Sequence, residues 1–373
     1  MKYFNFLLVS AAIGQLSFGS GSLSAQGVTF AEICALETTV NCWGFESEAE
    51  LFYTWFNTDE ACVNDPFLNN HPNGNANHMN VTTKPTRDGR CIYPKRDQTY
   101  AASGTSSLKF VYNQPTGSNP SGNFSPDFKR TGEGSNATYV QFGKGGEFWV
   151  RFSMRQSQGL LDFNGLTEAG KTSALKRVIV HGFSSASSLE ETIVDWKTYK
   201  IMRMYSDQGQ EDYGAQDNIG CTVALKNDNF PSPPCRYMVA NQWRSYQIHV
   251  IVADNAERNN GIVELYIDDE MIPIISISDS SMQPGKHPTD VGAPYPLQPL
   301  PYTETADWLQ TNGYGKVTFT LFHTGKDAIT IPASEAAMWI DDVVISKIRV
   351  PALDGTGTID SVAPAEPADL TTQ

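Results

Sequence analysis

Residues 241–269 read NQWRSYQIHVIVADNAERNNGIVELYIDD, and this stretch decides the fold class. Two runs of β-branched and aromatic residues, 246–252 and 262–267, flank the polar turn sequence ERNNG at 257–261. Apolar and polar residues alternate along both runs, which is the period of a strand with one buried face. Because turn residues separate the runs, the stretch predicts an antiparallel β-hairpin.

Similar runs recur along the chain, whereas no segment shows a sustained helical period. The 373 residues include 30 Gly and 21 Pro, which suits many short strands joined by turns. We therefore predict an all-β fold, a jelly-roll β-sandwich of two antiparallel sheets with long loops. Besides the hairpin, the predicted strands are 107–112, 147–155, 177–181, 198–205, 317–323 and 338–350.

The chain divides into four predicted parts. Residues 1–25 show the order of a secretory signal peptide: a basic start, a short apolar run and small residues up to Ala25. A loop-rich, disulfide-pinned segment over 26–105 is expected to wrap the jelly-roll domain, which covers 106–350. The tail over 351–373 is predicted to be disordered. We expect a secreted protein, extracellular or periplasmic, and a monomer.

The composition excludes several classes of protein. Asp and Glu number 41 against 27 Lys and Arg, which gives a formal net charge of −14 at pH 7. A nucleic-acid surface needs a cationic excess, so nucleic acid is excluded as the main partner. After the signal peptide, no stretch is long and apolar enough to suggest a membrane span. Hydrophobic residues make up 40% of the chain, which is enough for a large core.

The chain has six cysteines, and an even number after a signal peptide favours disulfides. A zinc site is the alternative, but no C-x-x-C pair and no histidine at ligand spacing supports it. The sequence leaves the connectivity open, and short loops cost the least entropy to close. The favoured pairings are Cys34–Cys42 and Cys221–Cys235, which leave Cys62–Cys91.

Three motifs accompany the hairpin: FGKGGEFWVRFSMRQ at 142–156, LFHTGKD at 321–327 and WIDDVVISKIR at 339–349. Together with residues 241–269, they resemble segments of the concanavalin A-like jelly rolls, a superfamily of lectins, glucanases and polysaccharide lyases. The first two are similar to runs of its secreted, polysaccharide-associated members, and the third to its closing strand, which pairs back near the N-terminus. The resemblance covers roughly 105–350 and implies a polysaccharide partner, but fold alone does not decide activity.

Hydrolysis is disfavoured because its motif is absent. Laminarinase-type jelly rolls carry E-x-D-x-x-E on one strand, since two carboxylates on the same face must flank the scissile bond. The adjacent pairs Glu190-Glu191 and Asp341-Asp342 are expected to point to opposite faces of their strands and therefore not to cooperate. The esterase motif G-x-S-x-G is also absent.

Lyase chemistry needs a group that neutralises the uronate carboxylate and groups that move protons. Strand alternation collects Arg, Tyr, Gln and His on one polar face of each of three predicted strands, although any solvent-facing sheet has this pattern too. Gln247-Ile248-His249 is similar to the Q-I-H of alginate lyases, whose other motifs, R-S-E-L and Y-F-K-A-G, are absent. His181 and His323 both end apolar strands.

One groove is predicted to collect these residues. The expected catalytic residues are Tyr205, His323 and Arg155, and the expected substrate-binding residues are Lys176, Arg203, Gln247, Lys326 and Tyr199. A locally basic groove is compatible with an acidic protein because the local field governs a groove. No cofactor should be required. Asp268-Asp269 and Asp341-Asp342 could bind a structural Ca²⁺, and turn or solvent-facing carboxylates are the simpler interpretation.

The leading hypothesis is a secreted, polysaccharide lyase-like protein that cleaves an anionic, uronate-containing glycan by β-elimination. The first alternative is a non-catalytic, carbohydrate-binding jelly roll of the lectin type, in which exposed Trp and Tyr stack on sugar rings. The second alternative is a structural surface protein without a glycan ligand.

Overall fold

The computed structural model describes the central, folded part of the chain. Residues 1–27, which include the predicted signal peptide, and 354–373, which include most of the predicted tail, lie outside it. The described residues are 28–47, 50, 54–55, 80–81, 84–85, 91–112, 121–131, 138–143, 145–162, 175–182, 189–196, 201–208, 238–252, 262–271, 273–278, 313–323 and 335–353.

Strands dominate this part of the chain, as the period-two pattern predicts. Two short helices are described, α1 (Phe30–Cys34) and α2 (Gln158–Asp162). The strands in chain order are β1 (Thr39–Trp43), β2 (Thr54–Trp55), β3 (Asn80–Val81), β4 (Lys84–Pro85), β5 (Cys91–Ile92), β6 (Lys95–Asp97), β7 (Ser107–Val111), β8 (Asn123–Phe124), β9 (Arg130–Thr131), β10 (Thr138–Tyr139), β11 (Glu147–Gln156), β12 (Leu175–Gly182), β13 (Leu189–Trp196), β14 (Ile201–Gln208), β15 (Trp243–Ile251), β16 (Ile262–Ile267), β17 (Ile275–Ser278), β18 (Tyr314–His323) and β19 (Ala337–Ser346).

Most of these strands belong to two antiparallel sheets. Within the described ranges, the larger sheet has eight strands in the order β17-β16-β15-β11-β19-β7-β6, and β1 also pairs with β19. The smaller sheet has five described strands in the order β14-β13-β12-β18-β8. Consecutive strands cross between the sheets, because β12 to β14 follow β11 and β18 precedes β19. The predicted all-β jelly-roll sandwich is confirmed.

The inner faces of the two sheets form the core. Phe152 of β11 meets Phe319 of β18 edge to face, with ring centroids 5.4 Å apart, which joins the sheets directly. Such packing of apolar inner faces is the main source of stability of a sandwich. Apolar residues of β11, β15, β16 and β19 are buried in this core, among them Phe148, Val150, Phe152, Ile248, Val250, Val263, Leu265 and Ile345.

The predicted hairpin strands are paired antiparallel as β15 and β16, with Ile248 opposite Leu265 and Val250 opposite Val263. The closing strand, β19, lies in the same sheet and pairs with β1, as the resemblance implies. It ends at Ser346 rather than at residue 350. Residues 253–261, which hold the predicted turn, lie outside the described part.

The start of the described chain is fastened to the larger sheet. Thr29 and Glu32 form a capping box that begins α1, because each side chain hydrogen-bonds the other residue's backbone N–H. The predicted disulfide Cys34–Cys42 is confirmed and joins α1 to β1. The side chains of the other four cysteines lie outside the described part, so their pairing stays a prediction.

A second, smaller apolar cluster covers part of the outer face of the larger sheet. It consists of Ile33, Val344, Val350 and Leu353, and residue 353 also forms a parallel bridge with Val28. Ordered structure therefore extends to residue 353, past the predicted tail boundary at 350, because these apolar side chains are buried against β19.

Candidate functional site

The predicted site residues do not share one face. The smaller sheet contains Lys176, Arg203, Tyr205 and His323. The larger sheet contains Arg155 and Gln247, and Tyr199 and Lys326 lie outside the described residues. Because the sheets pack by their inner faces, their outer faces point away from each other. The predicted convergence on one groove is therefore wrong for Arg155 and Gln247.

Gln247 has a structural role. Its Nε2 donates to Asp269 Oδ1 at 2.9 Å and to the carbonyl of Val350 at 3.0 Å, while its Oε1 accepts from the N–H of Val350 at 3.2 Å. The side chain is buried, and these bonds tie β15 to the segment that follows β19. The Q-I-H similarity therefore does not mark a site on this sheet.

Three rows of cross-strand neighbours run over the outer face of the smaller sheet. Val178, Ile193 and Phe319 belong to the core and define the inner face, so the alternate positions belong to the outer face. From β14 to β18, the first row is Arg203–Val194–Lys176–Phe322, the second Tyr205–Thr192–Ile179–Thr318 and the third Asp207–Glu190–His181–Lys316.

A β-bulge in β12 puts Lys176 on this outer face. The register shifts between Lys176 and Val178, so one extra residue, Arg177, is accommodated there and is fully buried. Strict alternation would have grouped Lys176 with Val178 and Val180, which point into the core. The bulge instead aligns Lys176 with Ile179 and His181.

His181 is held in a defined orientation on this face. Its Nδ1 lies 3.1 Å from the carbonyl oxygen of Gly182, and its Nε2 lies 2.7 Å from Thr318 Oγ1. A carbonyl only accepts, so in the neutral ring Nδ1 carries the proton and Nε2 is the acceptor. The hydroxyl of Ser125 hydrogen-bonds Thr318, so His181 lies at the end of a chain of hydroxyl groups.

The backbone register separates His323 from the three rows. His323 lies opposite Leu175, a fully buried core residue, whereas His181 lies in the row next to that of Tyr205. The alternation of residues in the sequence does not distinguish His181 from His323 as candidates for the outer face. The β-bulge in β12 changes that alternation, and it cannot be recognised from the sequence of β12 alone. The register thus favours His181 over His323 as the histidine of this face.

The first row contains two cations and no carboxylate, whereas the third row contains both Lys316 and acidic positions. Lys176 Nζ lies 5.7 Å from the ring centroid of Phe322, its neighbour in the first row, which also contains Arg203. In the third row, Lys316 Nζ lies 3.5 Å from Asp127 Oδ1. The first row can therefore attract a carboxylate, while the third row places acidic positions beside His181.

Part of this face is sheltered from water. Thr192 and Thr320 are buried, whereas Lys176, Ile179 and His181 are partly exposed. Charged and polar interactions are stronger where water is excluded, so this arrangement suits a binding cleft floor.

The alternation pattern of the sequence did not reveal β13, one of the two inner strands of the three rows. Its sequence, LEETIVDW, alternates apolar Leu189 and Ile193 with residues such as Thr192. The charged residues at 190, 191 and 195 obscured the pattern, because strands are usually poor in Glu and Asp. The apolar residues as a whole do not alternate either, because Val194 and Trp196 occupy positions of the opposite parity to Leu189 and Ile193.

The acid pair Asp341-Asp342 is buried, contrary to the expectation of solvent-facing carboxylates on opposite faces. An irregularity in β19 changes the alternation here, and Asp342 has a positive φ of 49°. Asp341 Oδ2 accepts from the N–H of Ala102 at 2.8 Å, and Asp342 Oδ1 accepts from the hydroxyl of Ser103. Burial, together with the charge of Asp342, raises the pKa of Asp341 to about 8.

The second acid pair forms ion pairs in a turn. Asp268 lies 3.5 Å from Arg244, and Asp269 lies 3.4 Å from the buried Arg151. Across the described ranges, no group of three or more His, Cys, Asp or Glu side chains is placed to hold a metal ion. Binding of a structural Ca²⁺ stays a prediction. Among these residues there is also no helix with the length and apolar character needed to cross a membrane.

No protein-family model matches the chain, and no curated protein matches it in sequence. Among solved structures, the endo-β-1,4-glucuronan lyase of the fungus Trichoderma reesei is similar over 68% of this chain and 86% of its own, with 10% identity and a TM-score of 0.40. A mutant of alginate lyase Aly36B in complex with alginate trisaccharide is similar over 74% and 100%, with 10% identity and a TM-score of 0.39. The PL7 alginate lyase AlyA1 from Zobellia galactanivorans is similar over 73% and 95%, with 9% identity and a TM-score of 0.38. The structural neighbours of this chain thus include polysaccharide lyases.

Proposed function

We propose that the protein is a secreted, polysaccharide lyase-like enzyme that cleaves a uronate-containing glycan by β-elimination on the outer face of the smaller sheet. The observation that supports this most is the register, which puts Lys176 and Arg203 in one row and Tyr205 and His181 in the next two. β13 lies between β12 and β14, so the positions of Lys176 and Arg203 are two strand spacings, about 10 Å, apart, which is within the length of one bound glycan of several sugars.

Each group has a role in the elimination. Lys176 and Arg203 pair with the uronate carboxylate and stabilise the negative charge that develops as the C5 proton leaves. Tyr205 and His181 move protons: one takes the C5 proton, and the other donates to the glycosidic oxygen as its bond to C4 breaks and a C4–C5 double bond forms. His181 Nδ1–H donates a hydrogen bond to the carbonyl oxygen of Gly182, so Nε2 is the ring atom without a proton.

The test uses the unsaturated product. Purified protein is incubated with alginate, glucuronan or ulvan, and the ultraviolet absorbance of the unsaturated uronate is followed. Tyr205→Phe keeps the ring and removes the hydroxyl, so turnover should fall by about 10²-fold or more with binding little changed. The matched control is Tyr139→Phe in β10, outside both sheets. Full activity of Tyr205→Phe on a substrate that the wild type cleaves would refute the role of Tyr205.

A second pair of variants compares the two histidines. His181→Gln should lower kcat by on the order of 10²-fold, because Gln cannot exchange a proton. His323→Gln should cost far less, since its register position lies opposite the buried Leu175. The measurement is kcat for both variants on the same glycan. The reverse order of effects would restore His323 as the proton-transfer residue and contradict the assignment of His181.

The non-catalytic alternative has its own signature. A lectin-like jelly roll would bind one of these glycans, seen as retardation in an affinity gel, without producing unsaturated uronate. Secretion is tested separately by N-terminal sequencing of protein from the culture medium. A mature N-terminus near residue 26 supports the proposed signal peptide, and an intact Met1 contradicts it.

A further inference from the structure

A row of alternating cations and aromatic rings crosses the outer face of the larger sheet, on the opposite side of the molecule from the proposed active face. Its members are register neighbours on five adjacent strands, and four strand spacings of about 4.8 Å make it roughly 19 Å long. We call it the cation–aromatic row; from β15 to β6 it consists of Trp243, Arg155, Trp339, Lys109 and Lys95.

Tyr100 lies on top of the middle of this row. Its ring centroid is 4.0 Å from the guanidinium carbon of Arg155 and 5.0 Å from the ring centroid of Trp339, with the two rings nearly perpendicular. Tyr100 is 38% exposed, and Leu36, Met271 and Ile348 are the other large hydrophobic residues exposed to this degree among those described. The row thus presents an aromatic ring, supported from below, to the solvent.

Arg155 carries a charge that no carboxylate in the described ranges balances. Its Nη1 donates to the carbonyl of Asn241, and its Nε is buried without a hydrogen-bond partner. Lys95 likewise forms no ion pair within these ranges and lies 4.6 Å from the ring of Tyr93. On a protein with a net charge of −14, two cations without carboxylate partners on one row point to an anionic ligand.

The remaining cation of the row is engaged locally. Lys109 pairs with Glu335 at 2.7 Å and lies 5.2 Å from the ring of Trp339, whose Nε1–H donates to Asp97. Glu335 is well exposed, so an anionic ligand can replace it at the ammonium group. These contacts hold Trp339 and Lys109 in place beside Tyr100 and Arg155.

We infer that the cation–aromatic row, with Tyr100, is an accessory binding site for a carboxylate-bearing polysaccharide chain. The exposed ring of Tyr100 stacks on a sugar face, and Arg155 and Lys95 meet carboxylates along the chain. The ligand class rests on the proposed function, while the site rests on the geometry of the larger sheet. A glycan bound here lies on the opposite side of the molecule from the proposed active face. Binding at this site keeps the protein attached to the polymer while the active face is not engaged with a chain.

The test is affinity electrophoresis in native gels with and without alginate, at low salt, in the Tyr205→Phe background so that the polymer stays intact. Tyr100→Ala and Arg155→Gln should each weaken binding about tenfold, the loss expected for one charged or stacking contact. Lys347→Gln, which removes an exposed lysine outside the row, is the matched control and should bind normally. A neutral glucan should not retard any of these proteins.

Further variants separate the sites and guard against misfolding. Lys176→Gln lies on the other sheet, so its effect should add to that of Arg155→Gln in the double variant. If Tyr100→Ala lowers the melting temperature, Arg155→Gln decides, because Tyr100→Phe would keep the stacking ring. Binding that depends on Arg155, together with no elimination product from the wild-type protein on alginate, glucuronan or ulvan, supports the accessory site and refutes the lyase. Absence of retardation, or unchanged retardation of a folded Arg155→Gln, overturns the accessory site.

Discussion

At the scale of single residues, the clearest departure from simple rules is the buried pair Asp341-Asp342. Both carboxylates lie among the N–H groups of Ala102 and Ser103 and the hydroxyls of Ser103 and Ser153, while the charge of Arg151 opposes the raised pKa of Asp342. Adjacent strand residues normally face opposite ways, and the irregularity in β19 removes that separation. The pair therefore retains a proton that an exposed pair would lose.

This proton makes stability depend on pH. In the folded protein Asp341 titrates near pH 8, whereas the ordinary value is 3.8, so between these limits the folded state binds more protons. Stability should therefore fall as pH rises through this window, by at least about 2 kcal/mol between about pH 5 and about pH 8. Asp342→Asn removes the neighbouring charge, lowers the pKa of Asp341 and should reduce this fall, as measured by urea unfolding. Glu37→Gln is the exposed control, and identical pH slopes for Asp342→Asn and wild type would contradict the shared-proton interpretation.

At the scale of elements, each strand serves two surfaces. β11 is the clearest case, because Phe152 faces the core while Arg155, in the same strand, belongs to the cation–aromatic row. The alternation along β11 is thus as the sequence predicts. The sequence does not show to which sheet β11 belongs. β11 lies between β15 and β19 in the larger sheet, so Arg155 is not on the proposed active face, which belongs to the smaller sheet.

The inner face of β11 should carry a large share of stability. Phe152 stacks on Tyr246 and meets Phe319 edge to face, with both ring centroids at 5.4 Å. Phe152→Ala leaves a cavity between the sheets and should lower the free energy of unfolding by about 3–5 kcal/mol. Urea titration followed by tryptophan fluorescence measures this. The control is Glu37→Gln, an exposed residue before β1, which should change stability by less than about 0.5 kcal/mol.

At the scale of the whole molecule, both ends of the described chain close over the larger sheet. β1 pairs with β19, Val28 bridges Leu353, and the cluster around Ile33 and Val344 fills the space between them. The disulfide Cys34–Cys42 holds α1 at this position. The cluster around Ile33 is separate from the main core, to which β1 contributes Val40 and Trp43, so α1 can loosen while the sandwich persists.

Removal of this disulfide should act locally. The double variant Cys34→Ser/Cys42→Ser opens a loop with a sequence separation of 8, which should cost about 2–3 kcal/mol. Hydrogen exchange should increase in α1 and β1, while the amides of β11 and β15 keep their protection. Equal loss of protection in β11 would show that the closure and the sandwich unfold together and would contradict this prediction.

The proposed secretion implies that all six cysteines are oxidised. Mass spectrometry of unreduced peptides should detect Cys34–Cys42 and no free thiol, and it would also identify the partners of the other four cysteines. Several free thiols, or bound zinc, would contradict the disulfide framework.

The sequence by itself determined most of the long strands, the sandwich and much of its core, because the alternation of apolar residues in runs such as 246–252 is a local property that burial enforces. It also predicted the pairing of Cys34 with Cys42, since the loop between them is short. Only the tertiary structure decided which polar faces belong together. That depends on the assignment of strands to sheets and on bulges, such as the one beside Lys176, which arise from contacts between residues far apart in the chain. For this reason Tyr205 and His181 lie on one face, while Arg155 lies on the other side of the molecule.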